Sequence, residues 1–271
     1  MLPMLKQPDN PSSDQVHTDV AIQTELATNK RAWDKIAPNF SGHCSLPDWG
    51  PFGECRSVDV LGDPRGLTVL EVGCGSGDSI ARVAEHGAKK VFGIDISTTQ
   101  IALATKRNRA NIDAGRVHLI EAPMEKTLDL GGIDLIFSIY AIGWTRDLAA
   151  TFRNLAAYLN PGGRLIWSWG HPLFPEILYV DCKFVLPDSY SYFNEQSQVA
   201  ADWHGSEGTV MQNRMLSTWF RHITDAGFII RHLLEPEAES CPAEVFNNNR
   251  LIPMVRARLL PTTLVYICEK A

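Results

Sequence analysis

Three groups of residues in this 271-residue chain have types and spacings suited to chemistry. The first is Glu71-Val72-Gly73-Cys74-Gly75-Ser76-Gly77-Asp78, where an apolar run ends in three alternate glycines and opens a helical pattern. Glycine lets the backbone approach a ligand without Cβ clashes, and the helix that follows presents unpaired N–H groups. The second is Asp95, 22 residues after Gly73 and at the end of the next apolar run. In a doubly wound sheet that spacing sets its carboxylate beside the glycine loop, where it accepts both hydroxyls of a ribose or else caps the helix starting near Ser97. The third is His171, which Pro172 keeps extended, with Tyr140 at the end of a neighbouring run. An imidazole takes a proton near neutral pH, so His171 is a candidate general base or orienting group. Both have plainer readings, His171 as a loop hydrogen bond and Tyr140 as a core aromatic with its hydroxyl on backbone.

A glycine loop with an acid on the second strand reads as an adenosine site. Dinucleotide sites favour G-x-G-x-x-G with the helix facing a pyrophosphate, whereas this loop is Gly73-x-Gly75-x-Gly77 between Glu71 and Asp78. Two carboxylates around the turn repel a diphosphate and suit a zwitterionic sulfonium. A nicotinamide-dinucleotide-dependent oxidoreductase and a cofactor-binding protein without catalysis are the alternatives.

The elements that position these groups read as strand, glycine loop, helix, strand, helix, the signature of βαβ units and a parallel sheet. Strands are predicted at Thr68 to Val72, Lys90 to Asp95, Val117 to Glu121, Ile133 to Ile139 and Gly163 to Trp169. Helices are predicted at Asp78 to His86, Thr98 to Asn111 and Asp147 to Leu159, the last closed by Asn160-Pro161-Gly162-Gly163. Beyond Trp169 come an aromatic-rich segment without clear periodicity, a helix Arg214 to Ala226, a strand Phe228 to Leu234, a Pro/Asn-rich excursion and a strand Thr263 to Cys268. A long aperiodic segment in a compact domain points to a substrate-covering insertion, here about 170–212. Residues 1–28 read as a mobile arm, with a short helix near Val16 to Leu26, and 29–66 as a helical cap on a domain spanning 29–271.

The composition, 45% hydrophobic, 9% aromatic and 21% charged, excludes disorder, collagen and coiled coil. Formal charge is -6 with no long basic run, which argues against a nucleic-acid partner. No stretch approaches the roughly 18–20 apolar residues of a membrane span, and no signal peptide precedes the domain, so a cytoplasmic protein is expected. Six cysteines without a C-x-x-C pair read as reduced thiols, and no trio of ligand residues has metal spacing.

On Val69 to Gly77, Gly93 to Ile96, Ile120 to Met124, Asp134 to Trp144 and Leu159 to Arg164, the chain resembles the class I S-adenosylmethionine-dependent methyltransferases, from about Lys30 through Lys270. The resemblance implies an α/β doubly wound Rossmann-like fold with a seven-stranded mostly parallel sheet, S-adenosyl-L-methionine as cofactor, and a small-molecule acceptor. It further implies that Gly73 and Gly75 line the methionine and ribose portion and that Asp95 binds the ribose hydroxyls. Ile96 would pack on adenine, Glu121 and Ala122 would meet its edge, and Ser138 would face the methionine amino group. Glu121 also reads as a plain surface acid. Where many relatives have His before Trp144, this chain has Gly143. Trp33, Phe40, Trp144, Trp169 and Trp203 are candidates for an apolar enclosure around a flat or greasy acceptor, with Phe174, Tyr190, Tyr192 and Phe193 in the insertion serving either that or a local mini-core.

Overall fold

The computed structural model describes residues 14–41, 45–175, 177–181, 183–206, 208–239 and 257–271. The first part of the expected arm, 1–13, and most of the Pro/Asn-rich excursion, 240–256, lie outside them. The chain opens with one helix, α1 (Asp14–Ile36), followed by a 3-10 turn at Ala37–Phe40. The expected break between arm and cap is therefore helical throughout from Asp14. Pro38 at the start of the 3-10 turn cannot continue an α-helical hydrogen-bond ladder, which fits the end of α1 at Ile36.

The α/β unit then runs β1 (Thr68–Val72), α2 (Asp78–Glu85), β2 (Lys90–Asp95), α3 (Thr98–Arg107), α4 (Arg109–Asp113), β3 (Val117–Glu121), β4 (Ile133–Ile139), α5 (Leu148–Tyr158) and β5 (Leu159–Gly170). The predicted single helix over 98–111 is divided at Asn108, whose buried amide donates to Gly77 O and Ala104 O, both at 3.0 Å. Such side-chain bonds compete with the helical ladder. β5 starts earlier than predicted because Leu159 already pairs with Ile133, and Pro161-Gly162-Gly163 is absorbed as an irregularity before Arg164 pairs with Leu135.

Two short hairpins occupy the insertion, β6 (Leu178–Val180) with β7 (Lys183–Val185) and β8 (Ser197–Ala200) with β9 (Thr209–Gln212). The chain closes with α6 (Leu216–Asp225), β10 (Phe228–Leu234) and β11 (Thr263–Lys270). Sheet order is β3-β2-β1-β4-β5-β11-β10, with β1 to β5 parallel and β11 antiparallel to both its neighbours. The expected seven-stranded, mostly parallel sheet is thus present. The reversal of direction in strand order at β1 and β4 opens a crevice at their carboxyl ends.

Both faces of the central strands are covered, so their sequences are almost continuously apolar. Along β1, Leu70 and Val72 join Phe152, Leu155 and Trp167 on one face, while Val69 joins Ile80, Val83 and Val91 on the other. Trp167 stacks on Tyr266 with centroids 4.4 Å apart and lies 4.9 Å from Trp219, tying β5, β11 and α6 together. Trp167→Ala is expected to cost about 3–5 kcal/mol through lost contact and the cavity left behind. A denaturant titration reads this as a lowered midpoint with an unchanged slope, and an unchanged midpoint would contradict the packing described.

Candidate functional site

The glycine loop between β1 and α2 is locked to the end of β2. Gly73 and Cys74 donate their N–H groups to Ile94 O at 2.8 and 3.0 Å, and Gly75 N–H donates to Asp95 Oδ2 at 2.9 Å. The other oxygen of Asp95 accepts Ser97 N–H at 2.8 Å. Gly73, Gly75 and Gly77 all have φ between 51° and 75°, the left-handed region that favours glycine. Only Gly73 and Gly75 line the crevice. Gly77 instead lies against α3, where a Cβ would come within 2.6 Å of Asn108 Nδ2 and 2.9 Å of Ala104 Cβ. At Gly75 a Cβ would meet nothing closer than Gln100 Oε1 at 3.9 Å, so the backbone faces free space, as a cradle for a ligand requires.

Asp95 is half-buried at the floor of this crevice, and burial, only partly offset by its bonds from Ser97 and Gly75, pushes its carboxyl up to about 6. A carboxylate has about four acceptor positions, so two remain after its two backbone donors. Ser97, not Asp95, caps α3, its hydroxyl accepting Gln100 N–H. Glu71 is buried, and desolvation with the Asp95 and Asp78 charges pushes its pKa well above the ordinary carboxylate range. Asp78 pairs with Arg107 at 2.8 Å. Two free negative charges around the turn, expected to repel a diphosphate, are therefore absent. Glu71 is held toward its neutral form and Asp78 is balanced.

A cavity of about 380 Å³ runs from the glycine loop to the aromatic residues of the cap and insertion. Asp95, Ile96, Ala122, Tyr140 and His171 line it, as do Trp33, Phe40, Trp144, Trp169 and Trp203. The five aromatic candidates meet in one cluster. Trp33 lies 5.3, 5.4 and 5.1 Å from Phe40, Trp144 and Trp203, and Trp144 lies 6.0 Å from Trp169. Phe193 is 78% exposed and the Tyr192 hydroxyl accepts Leu216 N–H, so those insertion rings serve elsewhere. A Cβ at Gly143 would overlap the Trp169 ring at 1.9 Å, so the absence of His at 143 is what admits this tryptophan.

Two other candidates sit away from the cavity wall. Ser138 is fully buried and its hydroxyl donates to Val72 O at 2.8 Å, within the sheet. Glu121 is exposed at the end of β3, accepting Thr98 Oγ1–H at 2.7 Å and pairing with Lys30 of α1 at 3.2 Å. The Thr98 hydrogen bond, with Lys30, holds its carboxyl below the ordinary range. His171 is buried with both ring nitrogens engaged. Leu173 N–H donates to Nδ1 at 3.3 Å and Nε2 lies 3.3 Å from Glu235 Oε1. Desolvation lowers its affinity for a proton despite Glu235.

Several residues in and around the cavity have no motif to announce them. Asn29 of α1 exchanges two hydrogen bonds with the Val210 backbone, at 2.9 and 2.7 Å, as a strand neighbour would. The buried Arg214 guanidinium donates to Gly143 O and Thr145 O and lies over Trp219 at 5.2 Å. Burial, with Arg146 nearby, brings its pKa down to about 10. Arg146 in turn pairs with Glu25 of α1 at 2.6 Å. Glu54, from the cap, is fully buried beside Thr262 and Thr263. Among the described residues no cluster has the composition of a metal site, and no helix is long and apolar enough to cross a membrane.

The fold is the Rossmann-like fold of the class I S-adenosylmethionine-dependent methyltransferases. Residues 69–163 match the family model described as a methyltransferase domain, so this segment is a class I methyltransferase domain, whose cofactor is S-adenosyl-L-methionine. It is 29% identical over 140 residues to an O-methyltransferase of Aspergillus nomiae, covering 51% of this chain and 59% of that one. To an O-methyltransferase of Aspergillus sclerotiorum it is 27% identical, covering 68% of each. The fold matches an S-adenosylmethionine dependent methyltransferase from Mesorhizobium loti with a TM-score of 0.61 and 24% identity, over 78% of this chain and 94% of that one. The chain spans about half the length of several curated relatives it matches.

Asp95 supplies a test with a definite sign. Its folded value of about 6 lies above the ordinary aspartate value of 3.8, so the proton it retains favours the fold at low pH, and that contribution is lost as pH rises through about 6. Ribose hydroxyls need the ionised acceptor, so affinity for S-adenosylhomocysteine is expected to run the other way, rising over the same window. Asp95→Ala should weaken binding by about 1.5–3 kcal/mol and flatten that pH profile. Calorimetry on the folded variant decides it, and an unchanged affinity would leave Asp95 as a loop latch alone.

Proposed function

We infer that this chain transfers the methyl group of S-adenosyl-L-methionine to a small, apolar, aromatic acceptor held between the cap and the insertion. The observation that carries this reading is the continuity of one cavity, with the glycine loop and Asp95 at one end and the five-ring cluster at the other. Asp95 would accept the ribose hydroxyls, Ile96 and Ala122 would flank adenine, and the Gly73 to Gly75 backbone would run beneath the ribose and methionine portion. Glu71, Gly77 and Ser138 support this floor from behind, and Glu121 anchors α1 over it.

The bound cofactor supplies a methyl group on a positively charged sulfur, an electrophile needing no further activation. What remains for the chain is alignment and the exclusion of water. Trp33, Phe40, Trp144, Trp169 and Trp203 give an apolar wall suited to a flat acceptor, and their faces favour a cation nearby. Tyr140 and His171 are the polar groups at the same edge that could orient the acceptor. The O-methyltransferase relatives favour an oxygen acceptor. The formal charge of -6 and the enclosed aromatic wall weigh against a polynucleotide.

Incubation with S-adenosylmethionine and a panel of phenols, indoles, amines and prenylated compounds tests the reading, with product mass rising by one methylene. Binding of a nicotinamide dinucleotide in place of S-adenosylhomocysteine would overturn it, as would modification of tRNA in preference to every small molecule. For an accepted substrate, Trp203→Ala or Trp144→Ala should lower kcat/KM about 10–100-fold through KM, the scale of 1.5–3 kcal/mol of apolar contact, while cofactor affinity holds.

A further inference from the structure

Tyr140 has φ +51°, a conformation seldom adopted by an aromatic residue. Its N–H donates to Ser168 O at 3.2 Å, and its hydroxyl lies 2.6 Å from Thr263 Oγ1. Thr263 Oγ1–H donates to Glu54 Oε1 at 2.9 Å. Glu54 also accepts Thr262 Oγ1–H on the same oxygen and Phe52 N–H at 2.7 Å on the other. The carboxylate is fully buried, and a Cβ at Gly50 would press within 2.6 Å of it. A carboxylate is an acceptor only, so it fixes the order of the chain. Thr263 spends its single hydrogen on Glu54, and the Tyr140 hydroxyl then donates to Thr263 at the shorter distance, with Thr262 O a second acceptor at 3.4 Å. A phenolic hydroxyl that donates can also accept, and Tyr140 lines the cavity among the aromatic cluster.

We propose that the acceptor is a phenol-class molecule and that Tyr140, Thr263 and Glu54 form a relay that takes its hydroxyl proton. This rests on the methyl-transfer reading above. As the acceptor oxygen bonds to the methyl carbon, the carbon–sulfur bond breaks with its electron pair staying on sulfur. The acceptor proton passes to the Tyr140 oxygen, the Tyr140 proton to Thr263 Oγ1, and the Thr263 proton to Glu54 Oε1. Tyr140 is the catalytic residue of this relay, and Thr263 and Glu54 act through it. Other titratable groups at this corner do not compete for the role. Burial, with Glu239 and Glu54 nearby, pushes the Cys55 thiol up to about 11, and His171 touches the relay only by donating its backbone N–H to Thr262 O.

Para-nitrophenol, whose phenolate absorbs separately from the phenol, is the probe, and its proton-free analogue para-nitroanisole is the control for occupancy. With S-adenosylhomocysteine present, wild type is expected to raise the phenolate fraction of bound probe relative to free probe at the same pH. Glu54→Gln, Tyr140→Phe and Thr263→Val should each abolish that shift while para-nitroanisole still binds, and Thr263→Ser should restore it. For methylated phenols the first three variants should lower kcat about 100-fold with cofactor affinity unchanged. An equal phenolate fraction in all variants, or para-nitrophenol failing to bind while S-adenosylhomocysteine binds, overturns the proposal and leaves methyl transfer standing. Failure of S-adenosylhomocysteine to bind, with the Glu54-dependent shift intact, sinks the methyl-transfer reading and leaves the relay.

Discussion

The site depends first on the carboxylate of Asp95. Its two oxygens take the N–H groups of Gly75 and Ser97, joining the loop after β1 to the loop after β2. Ile94 O, one residue earlier, receives Gly73 and Cys74. Backbone that must stay open to a ligand has no ladder of its own, so a neighbouring strand end has to satisfy it. Holding a carboxylate half out of water opposes its ionisation, which is why its value moves up to about 6. The fold thus maintains an acceptor at a cost in stability.

The apolar half of the site is assembled differently. Trp33, Phe40, Trp144, Trp169 and Trp203 come from α1, its 3-10 extension, the turn after β4, the end of β5 and the insertion. Ring contacts are weakly directional, worth about 0.5–1.5 kcal/mol beyond area burial, and would tolerate several arrangements. Buried polar pairs select one. Asn29 mimics a strand against Val210, Asp34 accepts Ser97 Oγ–H and Thr99 N–H, and Glu25 holds Arg146. Each bond crosses from α1 to a different element, and each would leave an unsatisfied buried group if α1 shifted by one residue.

Legibility in the sequence follows from the range of each interaction. The strand-to-glycine-loop segments and Asp95 were readable because their constraints are local, a period of two or a positive φ. The division of α3 from α4 was not, since it needs Asn108 to reach Gly77 across the loop. Glu121 and Ser138 were correctly placed at strand ends, but direction is a tertiary matter: Lys30 and Thr98 draw one outward, and the sheet encloses the other. Glu54 and Arg214 carried no signal beyond their type. Their partners stand as far away as Thr263 and Gly143, at separations of 209 and 71 residues.

Gly143 and Trp169 make one device from two separate observations. The glycine read on its own as the loss of a side chain, and the tryptophan as one more aromatic. The Trp169 ring occupies the volume a Cβ at 143 would need, and the Gly143 carbonyl is held by Arg214. An indole at that spot makes the wall apolar and offers no proton acceptor. Chemistry that needs one must then draw on another edge of the cavity. His171 has both ring nitrogens committed to Leu173 and Glu235, whereas Tyr140 is joined through Thr263 to a carboxylate shielded from water. On the proposed relay, the packing that makes the pocket dry leaves proton handling to Tyr140, just after β4, and to Thr263 of β11.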